Sequence, residues 1–466
     1  MIKSRVYILF DQFSAAERRA FKKFVRSPFH NAREDAQLLY EYLLENHRKK
    51  ALLTKDLLYA HCYSDTKYED AKFRQVLTHL CRLMEQFLAV NHLVQDEVEM
   101  KLLTSKALKD KKLEDLATQQ LQKAEVLLEK NDYRNRTHFE THYQILSEKH
   151  LIAAGKKRDR QLDMAPLNEA LEVSFIIEKL MRSCYMLSHQ NLVKTNHSLG
   201  LTDAILKYIE EENLLRIPTV KIYYAAYHTL LPEAEEHWFY DMVEQLLEHA
   251  ALFPKEELSL LYFAPINYAV KKINKGHLNY IKEIFALYKF GLTHEFYIQN
   301  GELSRFTYKN IITSSLVLKE FEWTENFLHQ YKPFLAEKYR ESHFSYNFSK
   351  LHFARKEYDE ALRLLSLVEY DDLNLNLASK TLLLKIYYET EEWDALDSLL
   401  SSFRTFLYRK EVMGYHKTIY QNIIDLTRKM VALGPHNREE RAIVRKLVER
   451  TEENTEKVWM LEMLGD

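Results

Sequence analysis

His138 and His142 stand four residues apart in a stretch whose apolar spacing predicts a helix over 133–154, so both rings would share one face, an arrangement that can hold zinc. A third ligand is missing: neither His-Glu-x-x-His nor Glu-x-x-His occurs in the chain, and Arg134, Arg136 and Lys149 add positive charge to the same stretch. With 20 His in the chain the pair reads as surface or satisfied histidines, and neither a metal site nor a cofactor is expected. A second set of residues could do acid–base chemistry on a phosphodiester, because an arginine and a histidine separated by four to six residues can project into one groove. Arg74 with His79, Arg136 with His142, Arg182 with His189 and Arg409 with His416 have that spacing. Loops that cradle phosphate are excluded: there is no Gly-x-Gly-x-x-Gly, no Walker A pattern and no Gly-x-Ser-x-Gly elbow, and the closest glycines in the body of the chain, Gly291 and Gly301, lie ten apart. Cys62, Cys81 and Cys184 contain no Cys-x-x-Cys pair and are expected as buried small hydrophobes in a reducing compartment.

The elements that must position these residues are helices. The chain of 466 residues has only 8 Gly and 8 Pro, where average usage would give roughly 33 and 23. Hairpins and βα turns consume glycine, and none precedes Gly155, so the first third is helical. Ser14 to Glu17 is a capping box, followed by an apolar stripe of Phe13, Ala20, Phe21 and Phe24 and a stop at Ser27-Pro28. From Asp70 the apolar residues Phe73, Val76, Leu77, Leu80, Leu83 and Phe87 recur at three and four, which predicts another helix. Pro166, Pro218, Pro254 and Pro435 mark helix starts, and Gly155, Gly200, Gly276 and Gly434 mark stops. This reading gives about eighteen helices. The longest apolar run, Ile222 to Tyr227, is far short of the roughly 20 residues that cross a bilayer. The apolar stretch within Met1 to Phe10 is too short for a secretory signal, so no membrane contact and a cytoplasmic location are expected.

A single core stops growing at about 250–300 residues, so a chain of this length must split into domains or stack its helices as a solenoid. Trp323, Tyr358 and Trp393 are spaced by 35 and 35 residues, each after a short charged turn. Tyr358-Asp359-Glu360-Ala361 and Trp393-Asp394-Ala395-Leu396 repeat an aromatic and a small or aliphatic residue three apart. This resembles the tetratricopeptide (TPR) repeat, with its period near 34. In that family an aromatic opens the second helix of a pair and an alanine three residues later admits the facing helix. Tyr358 and Ala361 match both positions, and Asn347, Phe348, Phe353, Leu365 and Val368 fall at the family's first-helix polar and packing positions. Ser349 replaces the usual glycine, Asn326 stands where the first repeat would have alanine, and no proline closes a repeat. The resemblance covers residues 307–410.

The resemblance implies an all-α fold, a right-handed α-solenoid of TPR-like helix pairs over 156–466 preceded by a helical N-terminal domain over 1–155. It implies a non-catalytic scaffold or adaptor that grips a peptide or partner protein in a concave groove. Carried over residue by residue, the groove face is Tyr346, Asn347, Lys350 and Phe353 in one pair and Thr381, Lys385 and Tyr388 in the next. Two alternatives involve nucleic acid. Leu53 to Leu58 followed by Ala71 to Leu88 resembles the second and third helices of a winged-helix DNA reader, with Lys72, Arg74, His79 and Arg82 toward the groove, although Val94 to Leu108 reads as helix where a β wing would stand. The arginine–histidine spacing is similar to that of HEPN ribonucleases, with Arg74 and His79 as the first pair. Charge is divided unevenly: residues 1–160 carry a balance of +7 and residues 161–466 one of −9. The basic run Lys156 to Arg160 marks the expected domain boundary.

Overall fold

The computed structural model describes residues 4–47, 53–63, 67–156, 162–193, 195–274, 276–368, 372–409, 414–433 and 438–465. Among them are twenty-three α-helices and a single two-strand hairpin, so the chain is all-α. No described helix is long and apolar enough to cross a membrane. Pro435, Gly434 and residues 157–160 of the basic run lie outside the described residues.

The chain divides into two compact units, Met1–Glu178 and Lys179–Asp466. In the first, α1 (Arg5–Gln12), α2 (Ala15–Val25), α3 (Glu34–Asn46), α4 (Lys55–Cys62) and α5 (Asp70–Gln95) enclose one core that runs in sequence from Val6 to Phe87. The capping box forms as its residues dictate: the Glu17 amide donates to Ser14 Oγ and the Ser14 amide donates to the Glu17 carboxylate. Three helices follow, α6 (Glu97–Asp110), α7 (Glu114–Lys130) and α8 (Arg136–Lys156), around Leu102, Ala117, Leu121 and Ile145. The division between the units falls inside α9 (Ala165–Val193).

The second unit begins with α10 (Thr202–Glu211), α11 (Pro218–Leu230), α12 (Glu236–His249), α13 (Lys255–Asn274) and α14 (Tyr280–Thr293). Pro218 opens α11 and Pro254 precedes α13, as expected. Gly200 (φ 60°) corrects the sequence reading: it lies in the turn that leads into α10 rather than at the end of α9. After α14 the chain forms a hairpin, β1 (Ile298–Gln299) and β2 (Glu302–Leu303), across Asn300 and Gly301, both at positive φ. This Asn-Gly turn is the one strand signal that helical periodicity concealed. Gly291 is needed where it stands, because a Cβ there would run into the Tyr297 ring.

The rest of the second unit is α15 (Arg305–Val317), α16 (Phe321–Tyr331), α17 (Arg340–Ala354), α18 (Tyr358–Leu365), α19 (Leu373–Glu389), α20 (Trp393–Arg409), α21 (Gly414–Val431), α22 (Arg438–Arg450) and α23 (Lys457–Leu464). Each helix packs on its sequence neighbours, and α17 also packs on α15 and α19. All four tryptophans, Trp238, Trp323, Trp393 and Trp459, lie in this unit.

Four helix pairs reverse through the same three-residue turn. Lys112 between α6 and α7, Lys319 between α15 and α16, Lys356 between α17 and α18, and Glu391 between α19 and α20 all adopt left-handed φ of 60–64°. In each, the next residue's amide closes the helix on a carbonyl five residues back: Leu113 on Leu108, Glu320 on Ser315, Glu357 on His352 and Glu392 on Tyr387. That is the Schellman closure, here with long charged side chains at the position glycine usually takes. The turn fixes the register. Seven residues before it stand Ser105, Ile312, Ser349 and Leu384, and five after it Ala117, Thr324, Ala361 and Leu396, all essentially fully buried. The residue that opens each second helix in the C-terminal pairs is therefore Phe321, Tyr358 and Trp393, at spacings of 37 and 35. Trp323 is corrected out of the series: it lies two residues further on, stacked on Phe327 and edge-on to Phe285. In this register Thr324 rather than Asn326 takes the alanine position, with its hydroxyl donating to Ser315 Oγ at 2.7 Å.

Candidate functional site

The first helices α15, α17 and α19 carry equivalent positions ten, six and three residues before the turn. They are Lys309, Thr313 and Leu316 on α15; Tyr346, Lys350 and Phe353 on α17; Thr381, Lys385 and Tyr388 on α19. Six of the seven residues expected to form a groove belong to this set. The seventh, Asn347, is corrected by the structure: it is fully buried and its amide donates to the His343 carbonyl of its own helix. Tyr346 and Thr381 are also buried, Thr381 through a hydroxyl bond to Leu377 O. The accessible chemistry therefore lies with the lysines and with the edges of Phe353 and Tyr388.

Lys350 donates to Thr313 Oγ1 at 2.7 Å, bridging α17 to α15. Burial of its ammonium, with the charges of Lys309 and Lys385 nearby, pushes its pKa down to about 7, while Glu456 opposes the shift. Lys385 is held 2.9 Å from Glu456 Oε2 and lies over the rings of Phe353 (5.2 Å) and Trp459 (5.4 Å). Lys309 remains exposed to water. Tyr388 meets Trp393 and Trp459 edge-on, with centroids 5.6 and 5.4 Å away. Behind it, the nearly buried Glu389 accepts from Lys356, from Tyr358 Oη (2.6 Å) and from Trp459 Nε1 (2.8 Å), and these three donors hold its carboxyl below the usual range against the opposing effect of burial.

Lys309, Thr313, Glu389, Glu456 and Trp459 were not singled out by sequence reasoning. Lys309 and Thr313 become visible once the register runs through Phe321. Glu456 and Trp459 carry no repeat signal, since they belong to the last helix and the loop before it.

The other sequence candidates are engaged within the fold. His79 Nε2 lies 2.9 Å from Asn31 Oδ1 and its Nδ1 accepts from Arg82 at 3.0 Å. Burial and the charges of Arg82 and Arg33 lower its pKa. Arg74 pairs with Asp70, and Lys72 lies over the Tyr63 ring. Arg136 pairs with Glu140 (2.7 Å) and Glu178 (3.4 Å) rather than with His142. His189 Nδ1 lies 3.1 Å from His197 Nε2. The side chains of Arg409 and His416 lie outside the described residues. His138 and His142 do share a face, ring on ring at 6.4 Å, but burial and Arg134 push His138 down to about 4. Among the described residues no three metal-ligating side chains converge. Residues 97–110 form helix α6 where a β wing would begin. The thiols of Cys62 and Cys184 are pushed up to about 12 by burial.

Comparison with protein-family models, with curated proteins and with solved structures finds no match.

Proposed function

We propose that the chain is a non-catalytic scaffold, a right-handed α-solenoid of TPR-like pairs, whose groove along α15, α17 and α19 binds a segment of a partner protein. The observation that carries this reading is the common register of the three first helices, which puts Lys350 and Lys385 at one equivalent position, Lys309 one helical turn earlier, and Lys385 over the rings of Phe353 and Trp459. Helix pairs stacked in constant register build a continuous concave surface, and such surfaces bind extended peptides or single helices. Basic and aromatic side chains on it favour an acidic segment that also carries an apolar anchor. Arg74 and Arg136 are paired with carboxylates and His79 is bonded to Asn31 and Arg82, which favours binding over acid–base chemistry at those pairs.

The test is recovery of the tagged full chain from its native host after cross-linking, with and without nuclease. A protein partner that survives nuclease supports the reading, and the double variant Lys350→Met/Lys385→Met is expected to release it. Recovery of DNA or RNA alone overturns it.

A further inference from the structure

The groove lysines are not arranged as a solvated face. Three ammonium groups on adjacent helices repel one another, and one carboxylate, Glu456, is placed among them: it binds Lys385 directly at 2.9 Å and acts on Lys309 and Lys350. Glu456 is the residue that precedes α23, and its amide donates to Asn454 Oδ1, which fixes the approach of the loop. Asn422 of α21 holds that loop by donating to the Glu453 carbonyl. Three residues after Glu456, Trp459 lies perpendicular to the Tyr388 ring, has Lys385 over its own ring and donates its N–H to Glu389. A carboxylate and an indole on one helical turn thus lie against α19, and the carboxylate also acts electrostatically on Lys350 of α17.

We infer that the segment from Glu456 through α23 is an internal ligand of this groove, and that the external ligand is a partner segment of the same chemistry: an acidic residue followed three later by a large aromatic. The inference rests on the groove reading above. Charge makes replacement feasible. One internal carboxylate meets three lysines, of which Lys309 stays exposed, so a partner segment with two or more carboxylates offers the site more than the tail does. A tethered ligand competes at an effective concentration of about millimolar, so a stronger but untethered segment displaces it only when its own affinity is better by that margin. Trp459, Met460 and Leu464 also share a buried core with α19–α22, the apolar contact that a structural cap needs; the charge at Glu456 is the feature such a cap does not require.

The probe is a fluorescein-labelled peptide of residues 452–463 of this chain, read by anisotropy against the full-length protein. Wild type is expected to bind it weakly. Glu456→Gln, which loosens the internal ligand, is expected to bind at least tenfold more tightly, and adding Lys385→Met to that variant removes the gain. A probe carrying Gln in place of Glu456 is expected to bind at least tenfold more weakly. If Glu456→Gln binds no better than wild type, or binds equally with and without Lys385, the inference fails. Should Glu456→Gln fail to fold, amide exchange in wild type decides: excess probe raises exchange over 457–464 if the segment is displaced, and unchanged exchange overturns the proposal. A protein partner released by the double lysine variant but indifferent to all Glu456 changes sinks this inference and leaves the scaffold reading intact.

Discussion

The pair α6–α7 and the pair α17–α18 are built to one recipe but carry different outer faces. Both turn on a left-handed lysine, Lys112 or Lys356, with a buried serine seven residues before it and a buried alanine five after it. Among the described residues they are the two most extensively packed helix pairs. Small residues on facing positions let the backbones approach, so the remaining contacts close around them. The outer faces diverge. Three residues before the turn, α6 carries Lys109, neutralised by Glu148 of α8, its neighbour in the same core; α17 carries Phe353 there, beneath Lys385. On α6 the charge is neutralised within the same core, whereas on α17 the aromatic lies under a lysine that reaches Glu456 before the last helix.

The largest expected effect falls on the shared recipe. Ala117→Leu and Ala361→Leu should each destabilise by about 1–3 kcal/mol through overpacking, read from denaturant midpoints. A loss at one and none at the other would break the equivalence of the pairs. The serines should then separate them. Ser105 Oγ donates across the interface to Ala117 O at 3.0 Å, whereas Ser349 Oγ donates to Tyr346 O of its own helix at 2.7 Å. Ser105→Ala is expected to cost about 1 kcal/mol and Ser349→Ala less than about 0.5.

Much of this was legible in the sequence and some was not, for physical reasons. The glycine deficit, the capping box and the spacing after Asp70 fixed helix type and several ends, because local hydrogen bonding and periodicity decide those. Register was misread by two residues at Trp323, since an aromatic that packs between helices resembles one that opens a helix. The buried pairs twelve residues apart, Ser105 with Ala117 and Ser349 with Ala361, were present in the sequence and would have extended the pattern upstream. The Lys385–Glu456 contact was not legible, because it joins positions 71 apart with no local signature.

Smaller effects come from the turns. Glycine relieves a left-handed residue of about 1–2 kcal/mol but loses about 0.5–1 to added chain entropy, so Lys112→Gly should stabilise by up to about 1 kcal/mol. Lys356→Gly should gain less, since it also removes the contact with Glu389. The last distinction is a pH slope. Lys350 titrates at about 7 in the fold against an ordinary 10.5, so the unfolded chain binds the extra proton between those values. Its penalty is fully present below pH 7 and fades as pH rises toward 10, and melts of wild type should gain on Lys350→Met across that window. A flat difference would mean that the ammonium keeps its ordinary pKa.

The placement of every tryptophan in Lys179–Asp466 makes the molecule its own two-channel reporter. Emission excited at the red edge of the indole band follows that unit alone, while far-ultraviolet dichroism weighs every helix in the chain. Superimposed melting curves would mean one cooperative transition, and separated curves would assign the dichroism-only step to Met1–Glu178.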